Sequence, residues 1–274
     1  MVSMGSVWDR TAEFLSDNLG TLLPIALLAI FVPTTISSNL SGLQPSVTPG
    51  TAMLLGLGVF VLALVSFWGQ LAVTALAIDP AQGRQASQLA TRRFPAALLL
   101  MIVMVVVGIV LMIPVGVILA VGGIDLTTLE GSAMPDIPPS VAPWVFLYFL
   151  VLLVLGCWVM ARLAVVIPSV VGDRLAIGAI PRSWRLTRGI ALKIVGVLIL
   201  YVIVSIVANL AATTAFGAVM YLVAGRGEEG ISLASVLTTI VGGAVSTGFT
   251  VLGTAFLAKL YIALLARHEA AATA

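Results

Sequence analysis

The chain has 274 residues, of which 61% are hydrophobic and 9% are charged. An ordinary soluble domain has about 25% charged residues, so 13 basic and 11 acidic side chains are too few to cover a water-soluble globule of this length. The net charge of +2 does not indicate nucleic-acid binding, because the basic residues lie between apolar runs, and the composition predicts an all-α integral membrane protein.

The N-terminal sequence VWDRTAEFLSDNLG predicts a short amphipathic helix. Its apolar residues are expected to lie on lipid, and they are Val7, Trp8, Phe14, Leu15 and Leu19. Its charged residues are expected to face water, and they are Asp9, Arg10, Glu13 and Asp17. We therefore assign residues 1–20 to an N-terminal interfacial helix, with a partner-binding helix as the alternative. The segment lacks a basic region followed by a small-residue cleavage site, so we predict no cleaved signal peptide.

Six apolar stretches follow, each long enough to cross the hydrocarbon core of a membrane as a helix, which takes about 20 residues. They cover residues 22–40, 51–78, 95–121, 143–171, 191–216 and 231–265. The sequence therefore predicts a polytopic bundle of about six transmembrane helices in residues 21–266, followed by a short tail in residues 267–274.

The connections between these spans alternate in charge. The loops after the first and third spans contain no Lys or Arg, and the longer one carries Asp125, Glu130 and Asp136. The loops after the second and fourth spans hold most of the cations, which are Arg84, Arg92, Arg93, Arg174, Arg182, Arg185, Arg188 and Lys193. Only Arg226 falls in a loop on the other side. Because basic loops are retained in the cytoplasm, we predict a multi-pass protein of the bacterial inner membrane with both termini cytoplasmic.

The segment RLAVVIPSVVGDRLAIGAIPRSWRLTRG, residues 162–189, is the most specific in the chain. It has Arg162 near the end of a span, Pro168 before an acidic turn at Asp173, and an Ala-containing stretch that ends in RSWRLTRG. In these features it resembles a bacterial family named for the membrane domain attached to some glycerophosphodiester phosphodiesterases. The resemblance implies six spans, a Trp-bearing N-terminal helix, and a stand-alone membrane module. The fused relatives carry a catalytic domain with His and acidic metal ligands, whereas this chain has one His.

The same loop predicts a cationic helical element at the membrane surface. Pro181 predicts two short helices, the second beginning at Pro181. In helical projection, Ile177, Ile180 and Trp184 share one face, and a second face holds Arg174, Arg182 and Arg185. The candidate binding residues are Arg162, Arg174, Arg182, Trp184, Arg185 and Arg188. Guanidinium groups bind phosphate in a fork and Trp favours the interface, so anionic lipid headgroups are one expected partner. A docked protein and a purely topological role are the alternatives.

Three polar residues within the spans are candidates for intramembrane roles. Arg162 lies one to two turns from the basic end of its span, where its side chain could snorkel to headgroups, pair with Asp79 or Asp173, or line a cavity. Gln70 and Asn209 are neutral, and each could form a hydrogen bond between helices or line a polar pathway.

The sequence contains no recognisable catalytic constellation. Cys157 is a single cysteine in an apolar run, and His268 lies beside Glu269 in the tail. No metal-binding, nucleophile or phosphate-binding motif is present, so we expect no catalytic residue, metal or cofactor. The predicted function is a non-enzymatic membrane protein that supports lipid organisation or acts as a membrane partner or scaffold. The alternative is a transporter or lipid-translocating protein with a polar path near Arg162, favoured by the intramembrane prolines and a weak resemblance between the second and fourth spans.

Overall fold

A computed structural model describes residues 3–43, 47–83, 85–122, 138–224 and 233–272, and in these ranges the chain is helical without strands. We number the α-helices in chain order. They are α1 (Met4–Asp17), α2 (Leu19–Ile25), α3 (Val32–Leu43), α4 (Pro49–Ile78), α5 (Gln85–Val121), α6 (Ala142–Leu163), α7 (Val166–Gly172), α8 (Ala179–Leu186), α9 (Ala191–Ala224) and α10 (Leu233–Ala272). A π-helical segment (Ala26–Phe31) joins α2 to α3, and a short 3-10 helix (Pro80–Gln82) follows α4.

Six helical stretches are long and apolar enough to cross a membrane. They are Leu19–Gly42, Pro49–Ile78, Gln85–Val121, Ala142–Gly172, Ala191–Met220 and Ser235–Ala270. The predicted all-α bundle with six spans is therefore confirmed, and the chain is a multi-pass membrane protein. Successive spans run in opposite directions, so the loops with residues 79–83 and 164–190 lie at one end. We call this the basic end, because most of the cations are there.

The first span contains a local change of helix type between its two prolines. Pro24 lies in α2 and Pro33 at the start of α3, and the chain between them forms the π-helical segment. Pro33 has no backbone N–H, so a regular α-helical bond pattern cannot continue through it. The Thr34 hydroxyl donates to the carbonyls of Ile30 and Phe31 at 2.7 and 3.0 Å. The first span therefore remains helical through both prolines, but its backbone hydrogen-bond pattern changes from α to π between them.

The centre of the bundle is α10, which packs against α9, α4, α1, α3 and the π-helical segment. The remaining spans contact their neighbours in sequence or around this centre, with α5 beside α4 and α6 beside α9. The short helix α7 fills the basic end between α4, α5 and α10. Five of its seven residues are buried, and they are Val166, Pro168, Ser169, Val170 and Val171.

The helices pack closely at the basic end and separate toward the opposite end. Residues 71–77 of α4 are no more than 1% exposed, so protein covers every face of the helix there. By contrast, residues 109–113 of α5 are 45–61% exposed. Because five consecutive helical residues point in all directions around the axis, no face of α5 is fully covered by protein at this level. Small residues at the basic end permit the close approach, including Ala86, Ala90 and Ala97 of α5. The outer parts of the spans therefore present their surfaces to lipid.

The N-terminal helix forms as predicted, but its apolar face lies on protein. Val7 and Phe14 are 1% and 4% exposed, and the Trp8 ring lies 4.7 Å from the Phe256 ring of α10. The Lys259 ammonium of α10 sits 4.6 Å from the centre of the Phe14 ring. The expectation that these apolar residues lie on lipid is therefore wrong for Val7, Trp8 and Phe14. An apolar helical face has the same sequence pattern whether lipid or another helix covers it.

Two glycines of α4 provide a matched test of this packing. A Cβ at Gly69 would lie 2.8 Å from the Ala29 Cβ and 3.1 Å from the Ala29 carbonyl oxygen, whereas one at Gly58 would have no atom within 4 Å. Gly69→Leu should therefore destabilise the fold by about 1–3 kcal/mol through overpacking, and Gly58→Leu should have little effect. Thermal unfolding followed by fluorescence-detected size exclusion measures both. Equal loss in the two variants would contradict the packing of α4 on the first span.

Candidate functional site

The loop between the fourth and fifth spans contains two short helices, although not at the predicted boundaries. After α6, a turn at residues 164–165 leads into α7, residues 173–178 are not helical, and α8 begins at Ala179. Pro181 is thus the third residue of α8 and not the first. Its missing N–H removes no hydrogen bond there, because the N–H groups in the first turn of a helix have no partner within the helix. Arg174, with a φ of 59°, lies outside α8. The predicted helical face that joined Arg174 to Arg182 and Arg185 is therefore wrong.

The guanidinium of Arg162 lies between two indole rings. Its Cζ is 5.1 Å from the ring centre of Trp158, one turn earlier on α6, and 5.4 Å from that of Trp184 on α8. The two rings meet edge to face at 5.1 Å. Arg162 also donates from Nη1 to the Trp184 carbonyl at 3.5 Å. Cation–π contacts of this kind contribute about 0.5–2 kcal/mol, more where water is excluded, so Arg162 attaches α8 to the end of α6.

The backbone carbonyl of Arg162 completes this attachment. A helix leaves its last carbonyls without intrahelical partners, and α6 ends one residue after Arg162. The Ser183 hydroxyl donates to this carbonyl at 2.8 Å. The single hydrogen of the Thr187 hydroxyl is shared between this carbonyl at 3.2 Å and the Ser183 carbonyl at 2.9 Å, and both residues are fully buried. Sequence analysis missed these two side chains. The signal was present in RSWRLTRG, where Ser183 and Thr187 are four residues apart and therefore share a helical face.

A separate ion pair connects Asp173 to α8. Arg182 Nε lies 2.9 Å from Asp173 Oδ2, and this is the only ion pair within 4 Å in the described parts of the chain. The Tyr261 side chain of α10 contacts the same carboxylate. Asp173 therefore pairs with Arg182 and not with Arg162. Asp79 also pairs elsewhere, since its carboxylate accepts hydrogen bonds from Ala81 N and Gln82 Nε2 at 3.2 and 3.0 Å.

The remaining candidates of the loop face outward. Arg174, Arg185 and Arg188 are exposed, and none has a carboxylate within 4 Å among the described residues. Trp184 is 37% exposed, while Ala179, Ser183 and Leu186 on the other side of α8 are buried. We call Trp158, Arg162, Trp184, Arg185 and Arg188 the Arg-Trp surface. It combines a stack of two indoles and the Arg162 guanidinium with two exposed arginines that follow Trp184 within four residues of the chain.

The intramembrane candidates Gln70 and Asn209 lie at two other places. Gln70 lines a cavity of about 90 Å³ between α4, α7 and α10, together with Thr74 and Thr254. Asn209 lines a groove of about 510 Å³ between α9 and α10. Arg162 lines neither of them. The structure therefore does not join these three residues in one polar path.

The described residues contain no group of three or more His, Cys, Asp or Glu side chains that could hold a metal ion. Comparison of the chain with protein-family models, with curated proteins and with solved structures found no match. The residues of the site themselves offer cations, indoles and hydroxyls.

The Arg162 contacts with α8 can be measured by a double-mutant cycle. Arg162→Gln and Trp184→Leu are expected to be coupled by about 1 kcal/mol, because each removes the same cation–π contact. Hydrogen–deuterium exchange of the α8 amides reports the free energy of local opening for each variant. Arg92→Gln, at an exposed position of α5, with Trp184→Leu is the control pair and should be additive within about 0.5 kcal/mol. Additivity in the Arg162 pair would show that Arg162 does not attach α8.

Proposed function

We propose that this chain is a non-enzymatic protein of the bacterial inner membrane that binds anionic lipid headgroups at the Arg-Trp surface. Through this binding it would support the organisation of membrane lipids or position a protein partner at the membrane. The observation that carries the proposal is the stack of Arg162 with Trp158 and Trp184, together with the exposed residues Arg185 and Arg188, which follow Trp184 within four residues of the chain.

The geometry suits a phosphate ligand at the membrane surface. Indole side chains favour the boundary between hydrocarbon and headgroups, and α8 exposes Trp184 close to the end of a span. Guanidinium groups bind phosphate oxygens with two parallel hydrogen bonds. Arg162 keeps a buried Nε without a hydrogen-bond partner among the described residues. An internal carboxylate neutralises Arg182, so the free positive charge comes from Arg185 and Arg188, with Arg174 nearby in sequence.

The distribution of charge supports a cytoplasmic position for this surface. The basic end contains the loops at residues 79–83 and 164–190, and by sequence Arg226 is the one cation in the other connections between spans. Retention of Lys and Arg in the cytoplasm then supports a cytoplasmic position for both termini. Anionic lipids of that leaflet attract exposed basic residues with about 1 kcal/mol for each.

The sequence resemblance supports a membrane module of the kind attached to some glycerophosphodiester phosphodiesterases. The residues RSWRLTRG, which carry the resemblance to the membrane domain of glycerophosphodiester phosphodiesterases, form α8 and the turn after it. The catalytic domain of the fused relatives uses several His and acidic metal ligands, and this chain has one His. The proposed role is therefore the one that a membrane domain performs for lipids or for a separate partner.

Removal of two positive charges tests the proposal. Arg185→Ala together with Arg188→Ala should weaken phosphatidylglycerol binding about 30-fold at low salt, since about 1 kcal/mol is expected for each charge. Quenching of Trp fluorescence by brominated phosphatidylglycerol measures the binding, with the purified protein in nanodiscs and Trp8, Trp68 and Trp144 replaced by Phe so that the signal comes from Trp158 and Trp184. The difference should shrink at high salt, because screening weakens exposed charges.

The matched control removes two exposed cations of the basic end that lie outside this surface. Arg10→Ala with Arg92→Ala makes the same change in net charge and should leave the quenching near its original value. If both double variants bind phosphatidylglycerol equally weakly, the loss of binding comes from the change in net charge and not from the Arg-Trp surface. An unchanged affinity in the Arg185 and Arg188 variant would remove the basis of the proposal.

A lipid-translocating protein is the second candidate function. It is favoured by the separation of the spans away from the basic end, where residues 109–113 of α5 are exposed on all faces. It is disfavoured by the separate positions of Arg162, Gln70 and Asn209. Proteoliposomes with a fluorescent phospholipid and an external reductant distinguish the two functions. The binding function predicts the same fraction of protected lipid as in protein-free liposomes, and translocation predicts its loss.

A further inference from the structure

A polar groove runs between α9 and α10 within the membrane-spanning part of the protein. It has a volume of about 510 Å³, within the range of about 300–1,000 Å³ that small-molecule sites occupy. Its polar lining comes from both helices and consists of Tyr201, Ser205, Asn209, Thr213, Ser246 and Thr250. On α9, Ser205, Asn209 and Thr213 follow one another at intervals of four residues and share one face.

Asn209 of the groove lies within the hydrocarbon layer, about 6 Å from the boundary opposite the basic end. Asn209 is 16 residues beyond Lys193 on the same continuous helix, which corresponds to about 24 Å along the helix axis. The hydrocarbon core of a bilayer is about 30 Å thick. The groove is also accessible from the lipid, because Ile206 and Leu210 at its edge are 60% and 64% exposed.

Most hydrogen-bond donors of the groove are already used by the protein. Asn209 Nδ2 donates to the Gly242 carbonyl at 3.1 Å and to Ser246 Oγ at 2.8 Å, which uses both of its hydrogens. The hydroxyls of Ser205, Thr213 and Thr250 donate to carbonyls of their own helices. Tyr201 donates to the carbonyl of Phe249. These contacts also explain why α9 and α10 pack closely at this level.

The groups left free complement a hydroxyl. The Oδ1 of Asn209 has no donor among the described residues, and the Ser246 hydroxyl accepts a bond without donating one there. The free acceptor, Asn209 Oδ1, and the free donor, the Ser246 hydroxyl, belong to two residues that are hydrogen-bonded to each other. An alcohol can donate to the first and accept from the second at the same time. No charged residue lines the groove, so an ammonium or phosphate at this depth would lack a counter-charge, which is costly.

A second copy of the chain fits the groove poorly. Helices associate in membranes by close approach of their backbones, and a symmetric dimer would place the same concave surface on both partners. Two facing grooves would then enclose an unfilled volume. An amphipathic molecule from the bilayer can instead fill the groove and present its polar group at Asn209.

We infer that the groove between α9 and α10 is a binding site for a neutral lipid with a free hydroxyl, such as diacylglycerol. The hydroxyl bonds to Asn209 and Ser246, and the acyl chains extend past Ile206 and Leu210 into the bilayer. This site lies within the membrane, away from the Arg-Trp surface. It does not depend on the anionic-lipid binding proposed above, and either proposal can fail alone.

Photolabelling of the full chain in nanodiscs tests the inference. The probe is a diacylglycerol with a diazirine on one acyl chain, and mass spectrometry locates the label. We expect labelled peptides from α9 and α10 beside the groove. Unlabelled diacylglycerol should displace the probe, whereas its methyl ether, which cannot donate, should displace it at least several-fold less well. Asn209→Leu should weaken the displaceable labelling about three- to tenfold, the range expected for a hydrogen bond in a bilayer.

Three further variants make the outcome decisive. Ser246→Ala should lower labelling in the same direction, and it decides the question if Asn209→Leu does not elute as folded protein in size exclusion. Ile203→Leu, an exposed position of α9 outside the groove, should have no effect. Equal displacement by the methyl ether, or unchanged labelling in both polar variants, would overturn the inference. So would a disulfide between two Ser205→Cys copies in a Cys157→Ala background that blocks labelling, since it would assign the groove to a second copy.

Discussion

The link between the end of α6 and α8 determines the structure of the basic end. A helix that leaves the membrane exposes carbonyls that no longer have intrahelical partners. The protein satisfies the Arg162 carbonyl with Ser183 and Thr187, and it holds the Arg162 guanidinium between Trp158 and Trp184. One residue thus connects two helices through its backbone and its side chain. The position of α8, and of every exposed group on it, depends on this connection.

The same connection separates cations with a structural role from cations that remain free. Arg162 and Arg182 are both held by protein groups, one by two indoles and the other by Asp173. Arg185 of α8 and Arg188 in the turn after it are exposed and have no carboxylate within 4 Å among the described residues. A basic loop that would otherwise serve only membrane orientation is in this way converted into a surface with fixed geometry. Guanidinium groups bind phosphate and indole rings favour the membrane interface, so exposed arginines near tryptophan suit the level of the lipid headgroups.

Uneven packing distinguishes this bundle from one that is closed along its whole length. Helices α4, α5 and α10 meet through buried alanines and leucines near the basic end. Farther along, the spans expose large aliphatic side chains on several faces, as in residues 109–113 of α5. In a membrane such exposure is not penalised, because lipid chains are as apolar as the side chains. Lipid chains cannot form hydrogen bonds with a polar group. The polar Asn209 groove is therefore the feature of the outer region that lipid chains alone do not satisfy.

Composition and hydropathy determined the all-α class, the six spans and the difference in charge between the two ends, because each depends only on local sequence. The amphipathic pattern of α1 was also legible, but tertiary structure alone decided that Phe256 and other parts of α10, and not lipid, cover its apolar face. Likewise, the sequence identified Arg162, Asp173 and Arg182 without showing that Asp173 pairs with Arg182. Pairing and burial depend on how distant helices approach one another, which a single sequence does not encode in any local pattern. For the same reason, Ser183, Thr187 and Ser246 became functional candidates only when their helices were placed side by side.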